Sequence, residues 1–345
     1  MLATWQPHQL WRQMLFCSSV ANDNKSIIYD MMTLAVLALE GVFDTALSTL
    51  LDTFDAANAL CGTQPRPFDI RLVGVRRRVK THRGLLLPTN AIPMHRPDAV
   101  IVSGLGAWRP STLQAALKRP DVQDAAGKIA AWSKQGTLVS SACTAAFVLG
   151  AAGILNGRRA TTSWWLAPYF RQCFPEVELV ETQMLIKSGN VITAGAALAH
   201  IDLALWFVRQ QSPTLARIVA RHLVYANGAA QSAFALPKHL AHQDPVVEKF
   251  EAWARRHLAS FTMRAAARAA GVGERTLERR IKQVLGKSPV SFVQDLRVEQ
   301  AVQKLQTSSD SLEHIASSVG YSDAATLRAL LRRKTGRGVR QLRAG

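Results

Sequence analysis

Two short helical patterns recur 49 residues apart in the last third of the chain, centred on Val272 and Tyr321, each broken by a glycine-containing turn and followed by a basic helical stretch. The first runs from Thr262 to Ile281 with its turn at Ala270-Gly271-Val272-Gly273. The second sets Ile315 and Ala316 before a turn at Val319-Gly320-Tyr321-Ser322 and a helix over Asp323 to Lys334. A turn glycine permits the tight corner of a helix-turn-helix, and small or aliphatic residues let its helices pack closely. Ala267, Val272, Leu277 and Ile281 hold the packing positions of the first unit. The opposite face offers Arg275, Thr276, Glu278, Arg279 and Lys282, side chains that reach base edges and phosphates. In the second unit Ser322 is the expected N-cap, leaving Thr326, Arg328, Arg332 and Arg333 for a groove. Between the units Pro289 to Gln306 reads as one helix about 27 Å long at ~1.5 Å per residue. With their offsets added, the two basic helices would stand roughly 34 Å apart, one DNA turn.

Charge follows the same division. The 345-residue chain carries a formal charge of +18, and from Glu251 onward 18 Lys or Arg stand against 8 Asp or Glu, so this segment carries +10 of it. A pI near 10.5 points to a polyanionic partner, and double-stranded DNA is the expectation. An apolar content of 48% and a length beyond that of one ordinary domain predict two soluble globular domains, each with its own core. Thr137 to Leu155 is 19 residues without a charge, which raises a membrane span. Its Ser, Thr, Gly and Cys content reads instead as a buried strand followed by a helix, so no membrane partner is expected. Cys17, Cys61, Cys143 and Cys173 form no CxxC pair, which argues against zinc or a disulfide framework and suits the reducing cytoplasm; neither metal nor cofactor is expected. The first 25 residues lack the pattern of a secretory signal. Residues 1–30 read as a disordered leader, with the start of translation open between Met1 and Met31 or Met32.

From Met32 short β-rich runs alternate with helical stretches, as a parallel sheet requires. Strands are expected over Thr33 to Leu39, Phe68 to Val75, Ala99 to Gly104 and Thr137 to Ala142, and a hairpin over Met184 to Gly195 turning at Gly189-Asn190. Helices are expected over Ala46 to Leu60, Val122 to Gln135 and Ala196 to Gln211. The predicted fold is thus an α/β domain over 31–211, flavodoxin-like with a parallel sheet and helices on both faces. A linker region over 212–244, helical at first and irregular around Asn227 to Asp244, then leads to an all-α domain over 245–345.

Cys143 ends the strand TLVSSA and opens the helix that follows, between the small residues Ala142 and Ala145. A thiol at such a corner has the geometry of a nucleophile elbow, where a helix N-terminus lowers its pKa; a buried structural cysteine is the competing reading. His239 and His242 stand three apart on a helical stretch, but no Glu or third ligand accompanies them. Arg76-Arg77-Arg78 with Lys80 reads as a solvated strand end.

The run AGVGERTLERRIKQVLGKSPVSFVQDLRVEQAVQKLQ, followed by SLEHIASSVGYSDAATLRALLRRKTG, resembles the AraC-type DNA-binding domain over roughly 95 residues. The resemblance implies two helix-turn-helix units joined by a rigid helix. It matches Arg275, Glu278 and Arg279 to contacting positions of the first recognition helix and Thr326 to one in the second. The chain departs from that pattern at Gly273, where the N-cap is usually Ser, at Ile281, an aromatic core position, and at Ala329, where the usual Arg is displaced to Arg328. It departs again at Gly336-Arg337-Gly338-Val339, which replaces the closing G-x-S-P. The second unit is therefore expected to contribute mainly phosphate contacts.

SSACTAAFVLGAAGILNGRRATTSWW, with GVFDTALSTLLDTFDAAN upstream and TAGAALAHIDLAL downstream, is similar to the PfpI-type, class I glutamine amidotransferase-like superfamily over about residues 32 to 210. In enzymes of that kind the elbow Cys is served by an acid and often by a His. The resemblance matches Asp44 to the acid, but Ser163 stands at the His position, which removes general-base assistance. His200 is a further histidine that could face the same pocket. The expectation is a sensor and not an enzyme, with a small-molecule effector pocket of Asp44, Gly104, Cys143 and Ser163 walled by Trp164 and Trp165. Such a chain would be a transcription regulator controlled by a metabolite or by dimerisation, with a homodimer and RNA polymerase among its partners. The rival expectation is a cysteine-dependent amidase- or hydratase-like enzyme carrying a DNA-binding appendage.

Overall fold

The computed structural model describes residues 30–62, 65–93, 95–225, 231, 240, 242 and 244–343. Apart from Asp30, the expected leader lies outside these residues, as does His239 of the histidine pair. One sheet holds seven strands: β1 (Met32–Leu37), β2 (Phe68–Gly74), β3 (Asn90–Ala91), β4 (Ala99–Val102), β5 (Leu138–Ala142), β6 (Leu185–Ser188) and β7 (Val191–Ala194). Their order is β6-β7-β5-β4-β1-β2-β3. Every neighbouring pair is parallel except the β6–β7 hairpin.

Parallel strands covered on both faces have no need of polar alternation, which is why β4 and the part of β1 from Leu34 to Leu37 are continuous apolar runs. Leu34, Val36, Ala99 and Ile101 point to one layer, built by α1 (Asp44–Leu60) and, from the far end of the domain, residues such as Leu203 and Phe207. Ala35, Leu37, Val100 and Val102 point to the other, built by α2 (Pro110–Leu117), α3 (Pro120–Lys134), α4 (Ala146–Ala151) and α5 (Ala167–Cys173) through Leu113, Ile129, Phe147 and Phe170. The expected α/β class is observed. The uncharged stretch from Thr137 is β5 followed by a 3-10 turn and α4, and no helix among the described residues is long and apolar enough to cross a membrane. The sequence reading omitted α2, whose N-terminal Pro110 is a start signal.

After α6 (Ala199–Gln211), the segment expected as linker opens with α7 (Pro213–His222). Ser212 caps it by accepting from the Leu215 N–H, and Leu215, Ala216 and Val219 join the core formed by α1 and α6.

Beyond Asp244 the chain is helical: α8 (Pro245–Arg256), α9 (Met263–Ala270), α10 (Glu274–Leu285), α11 (Pro289–Thr307), α12 (Leu312–Ser318), α13 (Ala324–Thr335) and α14 (Val339–Arg343). Two separate cores form. One gathers Val247, Phe250, Ala266, Leu277 and Ile281 around Phe292 and Leu296; the other gathers Ile315, Leu327, Leu331 and Leu342 around Val298, Ala301 and Leu305. The long helix α11 thus serves both, its first half in one core and its second half in the other. The two domains touch where α10 packs on α5. There Gly286, at φ +70°, ends α10 against the Arg171 guanidinium, which is paired with Glu181.

Candidate functional site

Cys143 has φ +59°, a left-handed conformation that a side chain rarely adopts, and it joins β5 to a 3-10 turn over Cys143–Ala145. The strain is held by its surroundings. Its N–H donates to Gly195 O at 2.8 Å, and its carbonyl accepts from Thr162 Oγ1 at 3.0 Å. Ser163 Oγ donates to Cys143 Sγ at 3.0 Å. Both side chains are buried, and burial pushes the thiol pKa up, against the opposing hydrogen bonds of Ser163 and Thr144. The elbow geometry predicted from sequence is present; the lowered pKa of a helix N-terminal thiol is not.

Gly104 lies beside this corner in tight surroundings: a Cβ there would come within 3.3 Å of His200 Cε1 and 3.4 Å of Cys143 Cβ, so the histidine ring would have to give by a few tenths of an ångström. His200 is fully buried beside Gly104. Its Nδ1 donates to Ala197 O at 2.6 Å while Nε2 accepts the Gly104 N–H at 3.2 Å. That pattern selects the neutral tautomer, and burial lowers the pKa to about 4. Both ring nitrogens are occupied by backbone, so His200 does not serve the thiol.

Asp44 opens α1. Its Oδ1 accepts from Thr81 Oγ1 at 2.5 Å and its Oδ2 from the Arg83 N–H at 3.1 Å. Burial raises the carboxyl pKa, but these hydrogen bonds and the nearby His82 outweigh it and hold the group below its usual value. The carboxylate is therefore engaged with the 81–83 loop, and its link to Cys143 is indirect, through the Phe43 N–H to Gly104 O bond at 2.7 Å. Sequence reasoning missed that loop, because its role depends on a fold-wide approach between residues nearly forty positions apart.

Trp164 and Trp165 follow Ser163 and meet edge to face, with centroids 5.6 Å apart. Trp108 stacks on Trp165 at 5.3 Å, Phe43 meets Trp108 at 5.6 Å, and Trp108 is 50% exposed. The aromatic cluster therefore reaches beyond Trp164 and Trp165 to Trp108 and Phe43. Its signal in the sequence was a tryptophan four residues after Gly104. Gln231, also unanticipated, is fully buried against the same corner, its Nε2 donating to Thr162 O at 3.0 Å and Glu181 O at 3.3 Å. Among the described residues no group of three His, Cys, Asp or Glu side chains is placed to hold a metal. A separate cleft of about 760 Å³ lies between α5 and α10, lined by Arg171, Phe174, Asp244 and Gln283.

In the C-terminal domain α9 ends at Gly271 with φ +73° and α10 begins after Gly273, which offers no side-chain cap. Arg275, Glu278, Arg279 and Lys282 are exposed and Thr276 is half-buried, while Leu277 and Ile281 turn inward. In the second unit Ser322, Thr326, Arg328, Arg332 and Arg333 are exposed, while Leu327 and Leu331 turn inward. One expectation is corrected: the N-cap of α13 is Asp323 and not Ser322. Asp323 accepts from the Thr326 N–H at 2.7 Å and from Thr326 Oγ1 at 2.8 Å. A carboxylate is the stronger acceptor at the positive end of a helix. Thr326 is consequently tied to its own cap, whereas the arginines of α13 extend outward.

The DJ-1/PfpI family model matches residues 32–210, and a helix-turn-helix domain model matches residues 266–345. The chain is 29% identical over 201 residues to the HTH-type transcriptional regulator GlxA of Rhizobium meliloti, covering 56% of this chain and 61% of that protein. It is 35% identical over 94 residues to isonitrile hydratase of Pseudomonas putida, covering 27% of this chain and 40% of the hydratase. With the HTH-type transcriptional regulator GbdR of Pseudomonas aeruginosa it shares 24% identity over 297 residues, covering 84% of this chain and 78% of GbdR. The match thus spans about three fifths of the first of these relatives and two fifths of the second. An AraC family transcriptional regulator from Pseudomonas putida aligns with a TM-score of 0.47 at 19% identity, over 56% of this chain and 99% of that one.

Proposed function

The chain belongs to the DJ-1/PfpI family and carries an AraC-type helix-turn-helix domain, and from that premise we propose that it is a sequence-specific, DNA-binding transcription regulator. The observation that carries this reading is the pair of units with independent cores, each turning a row of basic side chains to solvent. Arg275 and Arg279 are the side chains proposed for base or backbone contact in the first unit, with Thr276, Glu278 and Lys282 beside them. Arg328 and Arg332 contribute phosphate contacts in the second, with Ser322 and Thr326 at its start.

The α/β domain is the sensor. Its effector pocket is the corner at Gly104, Cys143 and Ser163, with Trp164 as wall and Asp44 at the mouth through the 81–83 loop. Chemistry at Cys143 would need a group to take the thiol proton. Ser163 donates to the sulfur, His200 is held by backbone and Asp44 by Thr81 and Arg83. That arrangement supports recognition over turnover. A cytoplasmic homodimer, regulated by a small molecule and acting on RNA polymerase, completes the proposal.

Anisotropy titrations of labelled duplexes, selected by the full chain from a random-sequence library, test it. Replacing Arg275 and Arg279 with Ala is expected to weaken binding by about tenfold or more, as loss of a base-contacting Arg typically does. Equal affinity of wild type and double variant would remove the first unit from the interface.

A further inference from the structure

On an ideal helix of ~100° per residue, the α11 residues buried in the first core, Phe292, Val293 and Leu296, and those buried in the second, Val298, Ala301 and Leu305, lie about 170° apart. The two units therefore sit on opposite sides of one rod. The rod alone holds their relation only through its own stiffness, since each core grips a different stretch of it. Two charged residues at its middle occupy the flanks between the cores: Arg297 on one side and Asp295 on the other, roughly 160° from each other by the same construction.

Each flank residue touches both units. Arg297 donates through Nε at 3.0 Å and Nη2 at 2.6 Å to Leu258 O, in the α8–α9 loop of the first unit. Its guanidinium also lies 5.0 Å from the ring centroid of Tyr321, in the turn of the second. Gly320 makes this approach possible: at φ +92° it sits so close to the first unit that a Cβ would fall 2.7 Å from Ala259 Cα and 2.9 Å from Leu258 O. On the opposite flank Asp295 accepts from Lys287, in the loop that follows α10, at 2.9 Å, and from Lys334 of α13 at 2.7 Å. The Asp295 side chain is 16% exposed, so solvent screens these pairs less than it would surface ones.

We propose that Arg297 and Asp295 are positioning residues that lock the two helix-turn-helix units into one rigid reading head, and that this joint sets the spacing of the DNA half-elements the chain accepts. The spacing part rests on the DNA-binding reading above; the rigidity part does not. Arg297 combines a forked donor with a planar face, which a lysine lacks. The Gly320–Tyr321 turn thus joins the units as well as forming a corner within one of them.

Two measurements on the full chain separate the parts. Spin labels carried by non-natural residues at the exposed positions 279 and 332 report the distance between α10 and α13 without DNA. Wild type should give one narrow distribution, and Arg297→Met with Asp295→Asn should lose it. An equally narrow distribution in that double variant overturns the joint, whatever DNA does. For the second measurement, one base pair is inserted between the two protected halves of a duplex selected by wild type. Wild type should lose about tenfold in affinity, a typical cost for one defect in a site, and the double variant should lose much less. An unchanged penalty in the variant overturns the spacing role. Failure of wild type to select any duplex refutes the DNA-binding reading and with it the spacing role, while the distance measurement still decides rigidity. Tyr321→Leu and Arg297→Lys, milder changes, take the place of the double variant if it does not fold; each is expected to broaden the distances, and an unaltered distribution in both counts against the joint.

Discussion

His200 shows how one buried side chain makes the stability of the α/β domain depend on pH. Its neutral ring is bonded to backbone on both nitrogens, and burial lowers its pKa from 6.5 to about 4. Below the unfolded value the unfolded chain takes up the proton and the folded chain does not. The stabilisation is therefore fully present above pH 6.5 and is lost as pH falls toward 4, at a cost on the order of 3 kcal/mol. Urea melts at stepped pH should show that loss in wild type and a flatter curve in His200→Asn; parallel curves would show that His200 does not control this limb. At this scale the sequence was informative about the corner at Cys143 and not about where Asp44 is bound. The strand-to-helix corner at Cys143 was legible because small neighbours and a sharp end of pattern are local signals. The diversion of Asp44 to Thr81 and Arg83 was not, because it depends on a loop brought in from elsewhere in the chain.

The helix ends of the C-terminal domain divide into those that glycine serves only by its conformation and those where space decides. Gly271 has φ +73° with nothing within 4 Å of a Cβ position, so Gly271→Ala should cost only the left-handed strain, about 1 kcal/mol, in urea unfolding. Gly320→Ala adds a collision with the Leu258–Ala259 backbone and should cost distinctly more. Equal losses would mean that the approach at Gly320 relaxes freely. The sequence marked both glycines as turn residues, correctly. It assigned the second cap to Ser322, one position early, because Ser and Asp are both good N-caps and the preference between adjacent ones is settled by which backbone N–H groups each side chain reaches. The helix α2 and the packing of α7 on the α/β core were missed for a related reason, their short patterns gaining meaning only from the surface they cover.

Across the whole molecule, charge and fold divide the work. Arg275, Arg279, Lys282, Arg328, Arg332 and Arg333 are all exposed on α10 and α13. If these six cations each neutralise a phosphate, the logarithm of the binding constant should fall with that of salt concentration with a slope of about −5. Titrations at a series of salt concentrations give that slope directly, and a value shallower than about −2 would mean that most of these side chains stay off the backbone. Periodicity, turn chemistry and charge act over a few residues, and from them the two layers, the elbow cysteine and the paired basic units could be read along the chain. The partners of Asp44, the tie between His200 and Gly104, and the clamping of two helical units by Arg297 and Asp295 join residues far apart in sequence. These depend on how packed surfaces approach one another, and that information has no short-range trace.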